Sequence, residues 1–221
     1  MLISHQHKFI YLKTHKTAST TVEGVLEVLC TPQGHTPQHK QAEMKSDTGY
    51  VAGRGGGQKP ADFLQAHSPA NEVRRKVGTA VFESYRKVYT VRNPYDKVIS
   101  WFWHVMPKDT NERLAQDFSA SRQLFNDWLQ MRPVLPADLQ YYRTKQGFFE
   151  AHLIRYENIA GGLKQFADEL QTDIDLSAMP TWKTQVRAHK DRSYDDYYEP
   201  KARDIVRRIF AHDFETFNYA E

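Results

Sequence analysis

Short apolar runs alternate along this chain with longer stretches in which apolar residues recur every three or four positions. Residues 8–13, KFIYLK, predict a short buried strand. After the polar loop THKTAS, Val22, Val25, Leu26 and Leu29 recur at i, i+3, i+4 and i+7, one face of a helix. Residues 62–67, DFLQAH, read as a second short strand ending in His67. SPANEVRRKVG follows as a helix with Ser68 at its N-cap and Pro69 at its first position. Residues 87–91, KVYTV, predict a strong strand, and Asn93-Pro94 caps a helix with a stripe of Val98, Trp101, Phe102 and Val105. In this stripe Trp101 and Phe102 are expected inside and Trp103 outside. A helix around 112–131 turns Leu124, Phe125, Trp128 and Leu129 inward. HLIRY at 152–156 is the last strand, and Asn158 starts a helix with Leu163, Phe166 and Leu170 on one face. The closing helix, from about 200, is expected to bury Ile205, Ile209, Phe210, Phe214 and Phe217.

Strands alternating with helices predict an α/β fold, a central parallel sheet covered on both faces. With 221 residues the expectation is a single domain, 1–221. Residues 31–60 stand apart: few large apolar residues, Pro32, Pro37 and Pro60, and the glycine cluster GRGGG at 53–57 predict a long mobile loop.

Composition removes several function classes. A net charge of +3, with Lys and Arg scattered, gives no basic patch for nucleic acid. No apolar run reaches the ~18 residues of a membrane span, and MLISHQHKFIYLKTHK lacks the organisation of a signal peptide. The single Cys30 closes an apolar stripe and reads as core, so no disulfide or cysteine cluster is expected. Together these predict a cytoplasmic protein. His5 and His7 form an HxH near the start and read as surface residues; no metal is expected.

In a parallel sheet, ligands sit at the carboxyl ends of the strands. After the first strand stands THKTASTT, at the start of a helix whose free amides and dipole suit an anion. Lys16 adds a charge, and Thr17, Ser19, Thr20 and Thr21 add hydroxyls. An ordinary cap at Ser19 or Thr20 fits the same segment. After the KVYTV strand stands Arg92, suited to a bidentate grip on phosphate, with Ser100 two turns on. His67 ends its predicted strand on the same edge. A neutral imidazole there is matched to general-base work near pH 7. His15 and His104 are its competitors.

The pair of segments "strand–KTAST–helix" and "strand–R-NP-x-D-x-x-x-S–helix" resembles sulfotransferases that use 3′-phosphoadenosine 5′-phosphosulfate (PAPS). FIYLKTHKTASTT, HSPANEVRRKVG, YRKVYTVRNPYDKVISWFW, LIRYENI and the closing HKDRSYDDYYEPKARDIVRRIFAHDFETFNY look closest to a bacterial branch related to the heparan sulfate 2-O-type carbohydrate sulfotransferases. The resemblance implies a three-layer sandwich like that of P-loop nucleotide kinases. It implies that Lys16, Thr17, Ala18, Ser19, Thr20 and Thr21 cradle the 5′-phosphosulfate and that Arg92 and Ser100 hold the 3′-phosphate. It implies a tail loop with His189, Lys190 and Arg192 over PAPS, and His67 and Lys16 as the catalytic pair. The expected reaction is in-line sulfuryl transfer to a hydroxyl of a small-molecule or glycan acceptor. Two departures stand out: His15 replaces a proline common in relatives, and the tail reads Tyr194-Asp195-Asp196-Tyr197-Tyr198 in place of a Tyr-Arg-x-Tyr-Tyr pattern. The alternatives are a nucleotide kinase-like phosphotransferase, against which the missing P-loop glycines count, and a non-catalytic nucleotide-binding module. The acceptor walls are expected from 31–60 and the Trp101–His104 neighbourhood. Nothing in the sequence sets the oligomeric state.

Overall fold

The structure is a computed structural model describing residues 1–54, 63–177, 179–180, 182 and 187–221. The strands are β1 (Leu2–Ser4), β2 (Phe9–Leu12), β3 (Met44–Lys45), β4 (Gly49–Val51), β5 (Arg86–Val91), β6 (Arg143–Thr144), β7 (Gly147–Phe148) and β8 (Ala151–Arg155). The first helices are α1 (Ser19–Leu26), α2 (Ala70–Val77), α3 (Thr79–Ser84), α4 (Pro94–Val105), α5 (Lys108–Leu114) and α6 (Phe118–Gln130). They are followed by α7 (Leu139–Tyr142), α8 (Ile159–Glu169), α9 (Tyr194–Tyr197), α10 (Pro200–Ile209) and α11 (Ala211–Phe217). The chain divides into two compact units, Met1–Val91 with Asp138–Trp182, and Arg92–Ala137 with Lys183–Glu221.

The first unit is built on a six-stranded sheet in the order β3-β4-β1-β2-β5-β8. β2, β5 and β8 run parallel, while β1 is antiparallel to both β2 and β4. The expected parallel sheet is therefore present, with an antiparallel extension. Side chains alternate between the faces of a strand. Phe9 and Tyr11 meet Val22, Val25 and Leu26 of α1 and Leu163 and Phe166 of α8, with the Phe9 and Phe166 rings 5.4 Å apart. On the opposite face Ile3 and Tyr50 meet Val77 of α2 and Val81 of α3 around a cavity of about 520 Å³. Helix, sheet and helix make the three layers of an α/β fold. Cys30 is buried in the first of these cores, as the stripe predicts.

Several local readings change. Residues 31–54 contribute β3, β4 and the bridge between Gln41 and Arg54, where a mobile loop is expected from composition. The reason is backbone contact: a Cβ at Gly49 would lie 2.1 Å from the Ile3 carbonyl, so glycine there lets β4 dock on β1. Most of the glycine cluster, with Lys59 and Pro60, lies outside the described residues. Residues 63–67 form a turn, not a strand. The backbone of Leu64 is satisfied by one side chain: its N–H donates to the Tyr50 hydroxyl at 3.0 Å, and that hydroxyl donates to its carbonyl at 2.7 Å. Ser68 accepts the Gln65 N–H at 2.9 Å, and Pro69 takes the N-cap of α2.

The second unit is helical. Tyr95, Ile99, Phe102 and Trp103 of α4 pack with Phe125, Trp128, Tyr197, Tyr198, Phe210 and Phe214. Asn93 caps α4 as expected, accepting the Tyr95 N–H at 2.9 Å. Trp103 is 1% exposed while Val105 is 41% exposed, so the buried stripe is rotated from the predicted one. The segment 108–130 is split into α5 and α6, and the closing helix breaks at Phe210. Ile209, expected inside, is exposed.

Candidate active site

The loop from Thr14 to Ala18 joins β2 to α1 without a glycine. Lys16 and Ala18 nevertheless both have positive φ, 56° and 55°, while Thr17 between them does not. Such alternation turns successive N–H groups into one concavity, an anion-binding nest. For residues with a Cβ it costs about 1–2 kcal/mol each. The N-cap of α1 is Ala18, with no side-chain cap, so the alternative reading of an ordinary cap at Ser19 or Thr20 does not hold.

The strain is held by hydroxyls turned inward. Thr14 donates to the Thr90 carbonyl at 2.6 Å and meets the Thr17 hydroxyl at 2.8 Å. The Ser19 hydroxyl donates to the Thr14 carbonyl at 2.7 Å. Tyr11 donates to the Ser19 carbonyl at 3.1 Å and contacts Thr90 Oγ1 at 2.9 Å. Thr17 and Ser19 thus build the loop's own scaffold, while Lys16, Thr20 and Thr21 stay half-exposed.

Beneath the loop lies a buried ionic network that apolar spacing conceals. Glu23 falls between Val22 and Val25 yet has no exposed surface. It takes the Lys13 ammonium at 2.5 Å and the Met1 amino group, with Arg54 at 3.7 Å; Arg54 also pairs with Glu27.

His67 packs in the same unit. Its Nδ1–H donates to the Lys13 carbonyl at 2.9 Å, which leaves Nε2 with the lone pair. Its ring stacks on His15 with centroids 4.2 Å apart and planes 14° apart. Burial, then the charges of His15 and Lys13, lower its pKa to about 3, so the ring is neutral at pH 7. His15 is tied to fully buried Asp138, and the Tyr141 hydroxyl donates to the His67 carbonyl at 3.2 Å. Asp138 and Tyr141 carry no sequence signal beyond a proline-flanked loop.

In the second unit, Arg92 is 7% exposed and directs Nε and Nη2 to Asp96 Oδ2, at 2.7 and 2.6 Å. Arg187 binds the other oxygen of the same carboxylate. Two guanidiniums on one carboxylate leave a net positive centre. Ser100 lies one turn beyond Asp96 on the same face of α4. Asp96 belongs to the quoted motif and Arg187 precedes the tail residues, but neither is picked out by residue type alone. His189 turns inward, its Nε2–H donating to the Leu114 carbonyl at 3.0 Å. Lys190 and Arg192 are exposed, Arg192 lying 5.0 Å from the Phe118 ring. His104 is exposed against Trp101.

The sulfotransferase family model matches residues 1–220. The chain belongs to the sulfotransferase family. Its chemistry is accordingly sulfuryl transfer, and this sulfotransferase carries its glycine-free nest where β2 enters α1. No curated protein and no solved structure matches the chain. Among the described residues no helix of this sulfotransferase is long and apolar enough to cross a membrane.

Proposed function

We propose that this sulfotransferase takes its sulfuryl group from PAPS and passes it to a hydroxyl of a small-molecule or glycan acceptor. The loop between β2 and α1 carries the reading: two non-glycine residues held at positive φ form an anion-binding concavity beside Lys16. Bound PAPS would supply a sulfur–oxygen bond whose cleavage leaves negative charge on a phosphate oxygen. The amides of Lys16–Ser19 hold the sulfuryl and phosphate oxygens, with the hydroxyls of Thr20 and Thr21 beside them. The Lys16 ammonium neutralises charge developing on the bridging oxygen, and a single such donor is worth about 10²–10³ in rate. Thr17 and Ala18 act through the backbone.

His67 receives the acceptor's proton at Nε2. The proton moves from the acceptor oxygen to the imidazole as that oxygen bonds to sulfur. Anionic charge at the nest opposes the Lys13 and His15 charges, raising the His67 pKa toward its ordinary range. Arg92 and Ser100, with Arg187, hold the 3′-phosphate. Asp96 fixes the two guanidiniums for bidentate contact. Lys190 and Arg192 add cations from the tail, and His189 anchors that segment.

Calorimetric titration with adenosine 3′,5′-bisphosphate, wild type beside Arg92→Ala, tests the reading. Binding by the wild type with at least tenfold loss in the variant is expected. Absence of binding by the wild type would overturn PAPS as donor.

A further inference from the structure

We infer that Asp138 and His15 form a positioning pair for His67, holding a ring flat against it and supplying the negative charge that balances its protonated form. This rests on the reading of His67 as the base. Asp138 has no exposed surface and accepts the His15 backbone N–H with both oxygens, each at 3.2 Å. The same Oδ1 accepts His15 Nδ1–H at 3.2 Å. Backbone and ring of one residue are therefore gripped by one carboxylate, which fixes the ring plane as well as its place. That plane is the one stacked on His67. Tyr141, three residues beyond Asp138, flanks the His15 ring at 5.7 Å and donates to the His67 carbonyl. Burial, reinforced by Asp138, holds its phenol well above the ordinary range, so it remains a donor. One short segment thus holds both histidines.

A carboxylate is costly to bury without compensation. Here Asp138 places one negative charge behind the His15–His67 stack. When the acceptor's proton arrives at His67 Nε2, that charge faces it across the His15 ring. The charged state of the base is thereby favoured at the moment it forms. The charges of His15, Lys13 and the Met1 amino group, in that order, oppose protonation of His67. Asp138 is the acidic group joined to the stack by hydrogen bonds.

The test uses the hydrolysis of labelled PAPS, with water as the acceptor probe. Asp138→Asn should lower kcat at least tenfold, one pH unit of imidazole basicity, with KM for PAPS within twofold. The acidic limb of the kcat profile should move to lower pH. Asp138→Glu should recover part of the loss. His15→Phe keeps a stacking ring without the anchor and should likewise lower kcat, while its acidic limb moves to higher pH because the His15 charge is gone; it also serves if Asp138→Asn does not fold. Adenosine 3′,5′-bisphosphate binding, measured alongside, should be unchanged in each variant. An unchanged kcat and pH profile in both Asp138→Asn and His15→Phe, with His67→Ala inactive, would overturn the pair alone. An unchanged kcat in His67→Ala would overturn the base and the pair with it.

Discussion

Replacing Glu23 by Gln should destabilise the first unit more than its position in an apolar stripe implies. Burial pushes the Glu23 carboxyl up, but the Met1 amino group, Lys13 and Arg54 override it and bring its pKa to about 2. Against an ordinary value of 4.5, this is worth about 3 kcal/mol at neutral pH. It agrees with the 3–5 kcal/mol lost on average when one partner of a buried pair is removed. The unfolded chain takes up the proton near pH 4.5 and the folded chain near 2. The stabilisation is therefore complete above about 4.5 and disappears as pH falls toward 2. Glu23→Gln leaves Lys13 without its buried counter-charge. At roughly 2–4 °C per kcal/mol for a chain of this size, the melting temperature should fall by about 6–12 °C at pH 7. Differential scanning calorimetry with far-UV circular dichroism reads the shift. Repeating it from pH 7 to pH 3 should show the gap to wild type narrowing below about 4.5. A loss under about 2 °C at pH 7, or a gap that does not narrow in acid, would refute the assignment of the energy to this network.

His67 predicts a second pH effect. Its folded pKa of about 3 lies below the ordinary 6.5, so the unfolded chain binds the extra proton between those values. Stability should fall as pH drops below about 6.5, by up to about 1.4 kcal/mol per pH unit, and His67→Gln should flatten urea midpoints measured at pH 7, 6 and 5. In the nest, Ala18→Gly should stabilise the fold by about 0.5–1 kcal/mol, because relief of the left-handed strain exceeds the freedom glycine gains when unfolded. The same variant should bind adenosine 3′,5′-bisphosphate more weakly through loss of the preset loop shape. A destabilised Ala18→Gly protein would contradict the strain argument.

The parallel strands were legible because each is an apolar run with helical periodicity after it. Asn93-Pro94 and Asn158 were legible as caps because their side chains do what a cap requires. β1 is only three residues long, too short for a period to show. β4 was hidden by Gly49, chosen for its approach to β1 and not for strand propensity. The turn at His67 was misread as a strand because its hydrogen-bond partner is the Tyr50 hydroxyl, a tertiary contact. On α4, Tyr95, Ile99 and Trp103 form a run at four-residue spacing that the neighbouring Trp101 and Phe102 obscured. Of the candidate site, the cationic and imidazole members were legible by chemistry. The carboxylates that orient them, Asp96 and Asp138, were not, since an acidic residue in a loop or first helical turn has many ordinary uses.

The Lys13 carbonyl that orients His67 is the same strand end from which the nest departs. In the proposed reaction, proton acceptance and leaving-group stabilisation therefore share one footing, residues 13–18. Displacement of that footing carries both functions together and preserves their alignment. On that reading, outer loops can be exchanged, and acceptor choice with them, without re-tuning the chemical step. A fold arranged in this way diversifies at its rim while its reaction stays constant.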